Sequence, residues 1–391
     1  MYRVHAFGIP ARNRLRSVFL ALAVTSLIGP NFLIGPLSLI EQRAEAQRYT
    51  EREITIPWTQ AAPNGLDALL LYADLPGQHP LALITHGSAR KPEDHATVTP
   101  WAFLPQAQWF ARRGFVVLVV VRRGYGRSGG EQDGRHGGHC PTTDYQSAAE
   151  YSAQDLRITI DYARSLPNVD PQRAIAVGVS TGGLATVALT AQAPPQLVAA
   201  INFAGGRGSQ ADHDVCNPDD LVHAYKEFGK HSRVPMLWIY AENDKFFWPE
   251  LAQKFDAAFR SQGGNDQFVL APPIGDDGHH LFSHPSAWSD TVDAFLTAHN
   301  LTSLPQPLPE IQPPNIPPPP GLSEAGQQAF QRYLLLGPHK AFATSLHFFG
   351  VSVAQMTTDD ARHKAIESCR HAAQNKEDCA VVSIDNAAVH P

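Results

Sequence analysis

Apolar, β-branched runs alternate with helix-patterned segments through about 240 residues of this chain. The runs are "PLALITHG", "FVVLVVVRRG", "RAIAVGVS", "LVAAINFAGG", "PMLWIYAEND" and "DQFVLAPPI". Near-continuous hydrophobic strands of this kind are buried on both faces, as in a parallel sheet. Parallel neighbours need crossover connections, and "TPWAFLPQAQWFARRG", the stretch from about Gln146 to Ser165, "GGLATVALTAQ", "PELAQKFDAAFRSQGG" and "PSAWSDTVDAFLTAHN" supply the helices. The pattern predicts an α/β fold with a mostly parallel central sheet and helices on both faces. "REITIPW" and "GLDALLLYAD" precede it as a hairpin around Pro63-Asn64-Gly65. Sites on such sheets lie at the carboxyl ends of strands. The loops of interest therefore follow Gly87, Ser180, Asp244 and Ile274.

The two ends of the chain read differently. Arg12, Arg14 and Arg16 precede an apolar run from Val18 to Ile40, broken by Pro30 and Pro36. Ala44 and Ala46 then form an A-x-A site, so residues 1–46 read as a removed export signal with no membrane span left afterwards. Export places the chain where cysteines oxidise. Cys140 is expected to pair with Cys216, and Cys369 with Cys379. The main domain then covers 47–302. Residues 303–321, with "LPQPLPEIQPPNIPPPP", read as a polyproline spacer. Residues 322–391 read as a small α+β domain, with Thr357 or Thr358 capping a helix.

The chemistry centres on Gly178-Val179-Ser180-Thr181-Gly182. A serine hydroxyl is a weak nucleophile unless it is held out of the sheet beside a base. G-x-S-x-G at a strand-to-helix turn does this, with glycines where a Cβ would clash. The orienting acid and then the base should follow in order. Asp244 closes "PMLWIYAEND", with Glu242 as the nearby competitor. His279 follows the last strand, with His280 beside it. Backbone N–H groups of Thr181 and of Ser88, in "HGSA", are placed to receive an oxyanion. In "RRGYGRSGG" the glycines permit a sharp loop, and Arg122 and Arg123 read as structural ion-pair partners. His136, His139 and His213 read as solvated loop residues rather than a metal set.

Together, HGS, RRGYGRSGG, GVSTGG, YAEND and DGHHLF resemble a serine α/β-hydrolase of the dienelactone-hydrolase-like group, over about residues 50 to 300. The resemblance implies the α/β-hydrolase fold and cleavage of a carboxylic ester or lactone through an acyl-enzyme. It implies Ser180 as nucleophile, His279 as base and Asp244 as its orienting acid. Dienelactone hydrolases proper carry a cysteine nucleophile where this chain has Ser180. The C-terminal unit is similar to small cysteine-containing domains attached to some exported hydrolases.

The expected substrate is a small-molecule ester, and this chemistry calls for no cofactor and no metal. A net charge of −6 gives no footprint for nucleic acid. A peptidase or acyltransferase on the same triad, or a non-catalytic binding protein that kept the fold, are the competing readings. The C-terminal domain is open to docking an unknown partner.

Overall fold

The computed structural model describes residues 48–389. The expected export segment lies outside the described residues. Eight strands build the main sheet: β1 (Tyr49–Ile56), β2 (Leu66–Ala73), β3 (His79–Thr85), β4 (Val116–Val120), β5 (Val169–Val179), β6 (Leu197–Phe203), β7 (Met236–Ala241) and β8 (Asp266–Ala271). Their order is β1-β2-β4-β3-β5-β6-β7-β8. The β1–β2 and β2–β4 pairs are antiparallel. The remaining neighbours are parallel. In the first hairpin Ile56 faces Leu66, and the connection carries a short 3-10 turn, Thr59–Ala61.

Six helices cover the sheet: α1 (Leu104–Ala111), α2 (Tyr145–Ala163), α3 (Thr181–Gln192), α4 (Pro218–Gly229), α5 (Pro249–Arg260) and α6 (Pro285–Ala298). Successive strand residues point to opposite faces. Leu81 and Leu83 thus join the core under α2 to α5, while Ala82 and Ile84 join the core under α1 and α6. The helix expected from "TPWAFLPQAQWFARRG" begins as a 3-10 turn, Pro100–Phe103, before α1.

The elements expected from the sequence pattern do not include α4. Its buried face is Leu221, Ala224, Tyr225 and Phe228, and Tyr225 stacks on Phe255 of α5 at 4.5 Å. The helix is short and otherwise polar, so tertiary packing rather than propensity holds it.

Beyond the main sheet come α7 (Glu324–Leu334), β9 (Ala341–Thr344), β10 (Phe349–Ser352), α8 (Thr358–Ala372), β11 (Ala380–Ile384) and β12 (Ala387–Ala388). These strands form an antiparallel sheet in the order β10-β9-β11-β12. Thr357 is the cap of α8, its Oγ1 accepting the Asp360 amide at 3.1 Å. The buried Lys340 ammonium donates to the carbonyls of Tyr333, Leu334 and Leu336, satisfying the end of α7. The proline-rich stretch lies along α1: the Leu308 amide donates to Arg112 O at 2.7 Å, and Arg112 Nε donates to Leu308 O at 2.9 Å. The cysteines pair as expected, Cys140 with Cys216 and Cys369 with Cys379. No helix among the described residues is long and apolar enough to cross a membrane.

Candidate active site

The carboxyl ends of β3, β5, β7 and β8 carry the residues singled out by sequence. Ser180 joins β5 to α3 with φ 56° and ψ −122°, a region that L-residues seldom occupy. Such a conformation costs on the order of 1–3 kcal/mol and persists only where the surroundings impose it. Here a methyl group at Gly178 would run into the Gly182 carbonyl, and one at Gly182 into the carbonyls of Thr85 and His86. The tight crossing of β5, α3 and the end of β3 therefore forces the bend. The Ser180 amide donates to Phe203 O at 3.0 Å, and its carbonyl accepts from Gly206 and Leu184 at 3.0 and 3.1 Å.

Asp244 is fully buried in the turn after β7. Its Oδ1 accepts the amides of Phe246 and Phe247 at 2.8 and 2.9 Å. His279 Nδ1 lies 3.2 Å from both carboxylate oxygens. The imidazole is buried, stacked on Phe246 at 3.9 Å and edge-on to Phe247 at 5.5 Å. Phe247 in turn packs on Gly206, whose amide holds the Ser180 carbonyl, so the histidine and the serine share one neighbourhood. Among the described residues no hydrogen bond joins Ser180 Oγ to the imidazole; that contact is commonly long without substrate and tightens in the Michaelis complex. Glu242 and His280 are both exposed.

Two residues that sequence reasoning passed over hold this arrangement. Asp277 Oδ1 accepts the amides of His279 and Lys245 at 2.9 and 3.0 Å. Burial alone would raise its pKa, but these amide bonds, with His279 nearby, hold it below the usual carboxylate value. Asn243 bridges the same loops, donating to Ile274 O and Gly275 O and accepting the Ile274 amide. The signal for Asp277 was the Asp-Gly-His spacing, an aspartate two residues before an amide it can cap.

At the other side of Ser180, Gly87 packs directly on the serine: an added methyl would lie 2.9 Å from Ser180 Cβ. The Ser88 and Thr181 amides meet no acceptor among the described residues, and Thr181 opens α3, where the helix dipole favours negative charge. The Ser88 and Thr181 hydroxyls are 2.9 Å apart. His86 is buried and its Nε2 accepts the Arg122 amide at 3.0 Å, so Nδ1–H donates to Gly87 O at 2.6 Å. Burial, and then the Arg122 charge, push the His86 pKa well below its ordinary value, which keeps it neutral. Arg123 pairs with Asp155 at 2.5 Å and Arg122 with Asp133 at 3.8 Å, both within the buried interior.

A cavity of about 280 Å³ opens beside Ser88 and Thr181. Its far wall contains Tyr145, Arg207 and the Cys140–Cys216 pair. His213 stacks on Trp248 at 5.6 Å.

No curated protein matches the chain significantly. Among solved structures, Thermogutta terrifontis esterase 2 shares 17% identity at a TM-score of 0.45, covering 65% of this chain and 96% of its own. An esterase of Pyrococcus furiosus shares 16% identity at a TM-score of 0.43, covering 64% of this chain and 90% of its own. The Pyrococcus horikoshii acylaminoacyl peptidase shares 16% identity at a TM-score of 0.48, covering 64% of this chain but 41% of its own. Residues 102–294 match the dienelactone hydrolase family. That match spans α1 to α6 and takes in Ser180, Asp244 and His279, and the chain belongs to the dienelactone-hydrolase-like group of the α/β hydrolases.

Proposed function

We propose that this hydrolase is an exported serine esterase that cleaves carboxylic esters or lactones through an acyl-enzyme. The observation that carries the reading is Ser180 at positive φ between β5 and α3, with a buried Asp244–His279 pair in the loops after β7 and β8. Ser180 Oγ attacks the ester carbonyl while His279 Nε2 takes its proton. Asp244 fixes the Nδ1–H tautomer and stabilises the imidazolium. The carbonyl oxygen becomes an oxyanion held by the Ser88 and Thr181 amides, each such donor being worth about 2.7–4 kcal/mol in the transition state. Collapse passes the His279 proton to the leaving alkoxide and leaves Ser180 acylated. Water then repeats the sequence in reverse and frees the acid. Two disulfides support the export part of the reading, since such bonds persist in oxidising compartments. Residues 303–321 are read as the boundary between the catalytic domain and a C-terminal unit that is free to dock a partner.

The test is fluorophosphonate labelling of the mature chain, together with turnover of p-nitrophenyl esters of graded acyl length. Labelling at Ser180 and loss of both signals in Ser180→Ala are expected. A Ser180→Ala protein that hydrolyses these esters at the parental rate would end the proposal.

A further inference from the structure

The "RRGYGRSGG" loop makes a connection that ion pairing alone does not explain. Arg122 NH2 donates to Thr181 Oγ1 at 3.0 Å. Thr181 Oγ1 is 2.9 Å from Ser88 Oγ, which is 2.7 Å from the Tyr125 hydroxyl. Tyr125 donates to Asp133 Oδ1 at 2.8 Å. Asp133 Oδ2 returns to Arg122 NH2 at 3.8 Å, which closes a ring.

The direction of every bond in the ring follows from its two charged members. Asp133 is ionised: burial would raise its pKa, but Arg207 and Arg122 hold it far below the usual carboxylate range. It can only accept, so the Tyr125 proton points at it. Ser88 must then donate to Tyr125, and Thr181 to Ser88. Arg122 can only donate. Each hydroxyl gives one proton along the ring, and the Ser88 and Thr181 hydroxyls have none left for the cavity. What those two residues still offer a substrate is their backbone N–H groups. Arg122, Tyr125 and Asp133 are each at most 3% exposed, which shields the inner side of the ring from water, while Ser88 is half-buried at the cavity wall. Arg122 NH1 also donates to the His86 carbonyl and to Thr85 Oγ1, at the end of the strand that delivers Ser88.

We propose that Arg122, Tyr125 and Asp133 form a positioning frame that sets the distance between the Ser88 and Thr181 amides, and with it the fit of the oxyanion. The two amides come from loops 93 residues apart, and the ring is the link that ties their side chains together. The frame touches no reacting atom and acts through the two residues it holds. This rests on the esterase reading above.

The experiment uses Tyr125→Phe, which keeps the ring volume but removes the Ser88-to-Asp133 link, and Ser88→Ala, which keeps the amide but cuts the ring elsewhere without stranding a charge. Each is assayed for kcat and KM, for thermal melting, and for inhibition by an arylboronic acid, whose serine adduct carries the oxyanion. In both variants kcat is expected to fall roughly 10- to 100-fold, less than the ~10²–10³ of a lost donor. KM should stay within about twofold, and boronate affinity should fall by the same factor as kcat/KM. The double variant should be no worse than the more impaired single one, because both break one ring. Unchanged kcat and boronate affinity in folded variants would overturn the frame, as would a double variant whose losses multiply. Failure of the parent protein to turn over esters or label with fluorophosphonate would instead remove the esterase reading.

Discussion

Asp277 Oδ1 accepts the His279 amide at 2.9 Å and the Lys245 amide at 3.0 Å, which staples the histidine loop to the turn that holds Asp244. The staple fixes where the imidazole sits without touching it. Asp277→Ala should lower kcat about tenfold with little change in KM, and should cost about 1 kcal/mol of stability, the usual worth of a capping side chain. Asp277→Asn keeps an acceptor oxygen and should recover most of the rate. Equal losses in the two variants would show that charge, not the amide staple, matters.

Asp244→Asn should keep the fold, because the amide oxygen can still accept from Phe246 and Phe247. It should drop kcat by about 10⁴, since an amide facing Nδ1 favours the wrong tautomer. Stopped assays with a p-nitrophenyl ester, alongside circular dichroism, separate the two effects. Near-parental turnover would exclude Asp244 as the orienting acid.

The Cys140–Cys216 bond closes a span of 76 residues and lies in the wall of the cavity beside Ser88 and Thr181. Chain-entropy arguments put its contribution at roughly 4.5 kcal/mol. The paired Cys140→Ser/Cys216→Ser variant should melt at a lower temperature. It should also accept longer acyl chains relative to acetate than the parent does. An unchanged acyl profile would mean that the disulfide stabilises without shaping the cavity.

Asp266 begins β8, at the end of the sheet away from the catalytic loops. Neither of its oxygens has a hydrogen-bond donor among the described residues, and Asp256 Oδ1 has only the Arg260 guanidinium, at 3.9 Å; a protonated Asp266 carboxyl can donate to Asp256. Burial, then the hydrogen bond with Asp256 and its charge, push the Asp266 pKa up to about 8. The folded state keeps this proton where the unfolded chain has lost it. The contribution of Asp266 to stability should therefore be fully present below the ordinary carboxylate pKa and be lost as pH rises to about 8, flattening above it. Asp266→Asn should flatten that slope in denaturant titrations across pH and leave kcat unchanged. A slope that persists would assign it to other groups.

Much of the fold was legible because it rests on local rules. The β-branched run "FVVLVVV" is a strand wherever both its faces are covered, and it forms β4 at the heart of the sheet. The helix α4 was not legible. Leu221, Ala224, Tyr225 and Phe228 mark one face, but the helix is held by α5, whose contact is invisible along the chain. At the site, Ser180 could be named from its flanking glycines, because the steric demand of the bend is written within five residues. The Asp277 cap on the His279 amide is local, but its link to Lys245 and the bridges made by Asn243 could not be read, since those partners lie 31 or 32 residues away across two loops.

The linear chain was sufficient for most of the order of strands and helices and for the position of the bend at Ser180, and it favoured the cysteine pairing that the structure shows. Each depends on backbone sterics, side-chain periodicity or grouping within a domain. Which hydroxyl donates to which, and the link from Tyr125 through Ser88 to Thr181, emerged only once β3, β4 and β5 lay side by side. Hydrogen bonds act over about 3 Å, and residues as far apart in sequence as 88 and 181 reach that range only when a sheet stacks their strand ends together.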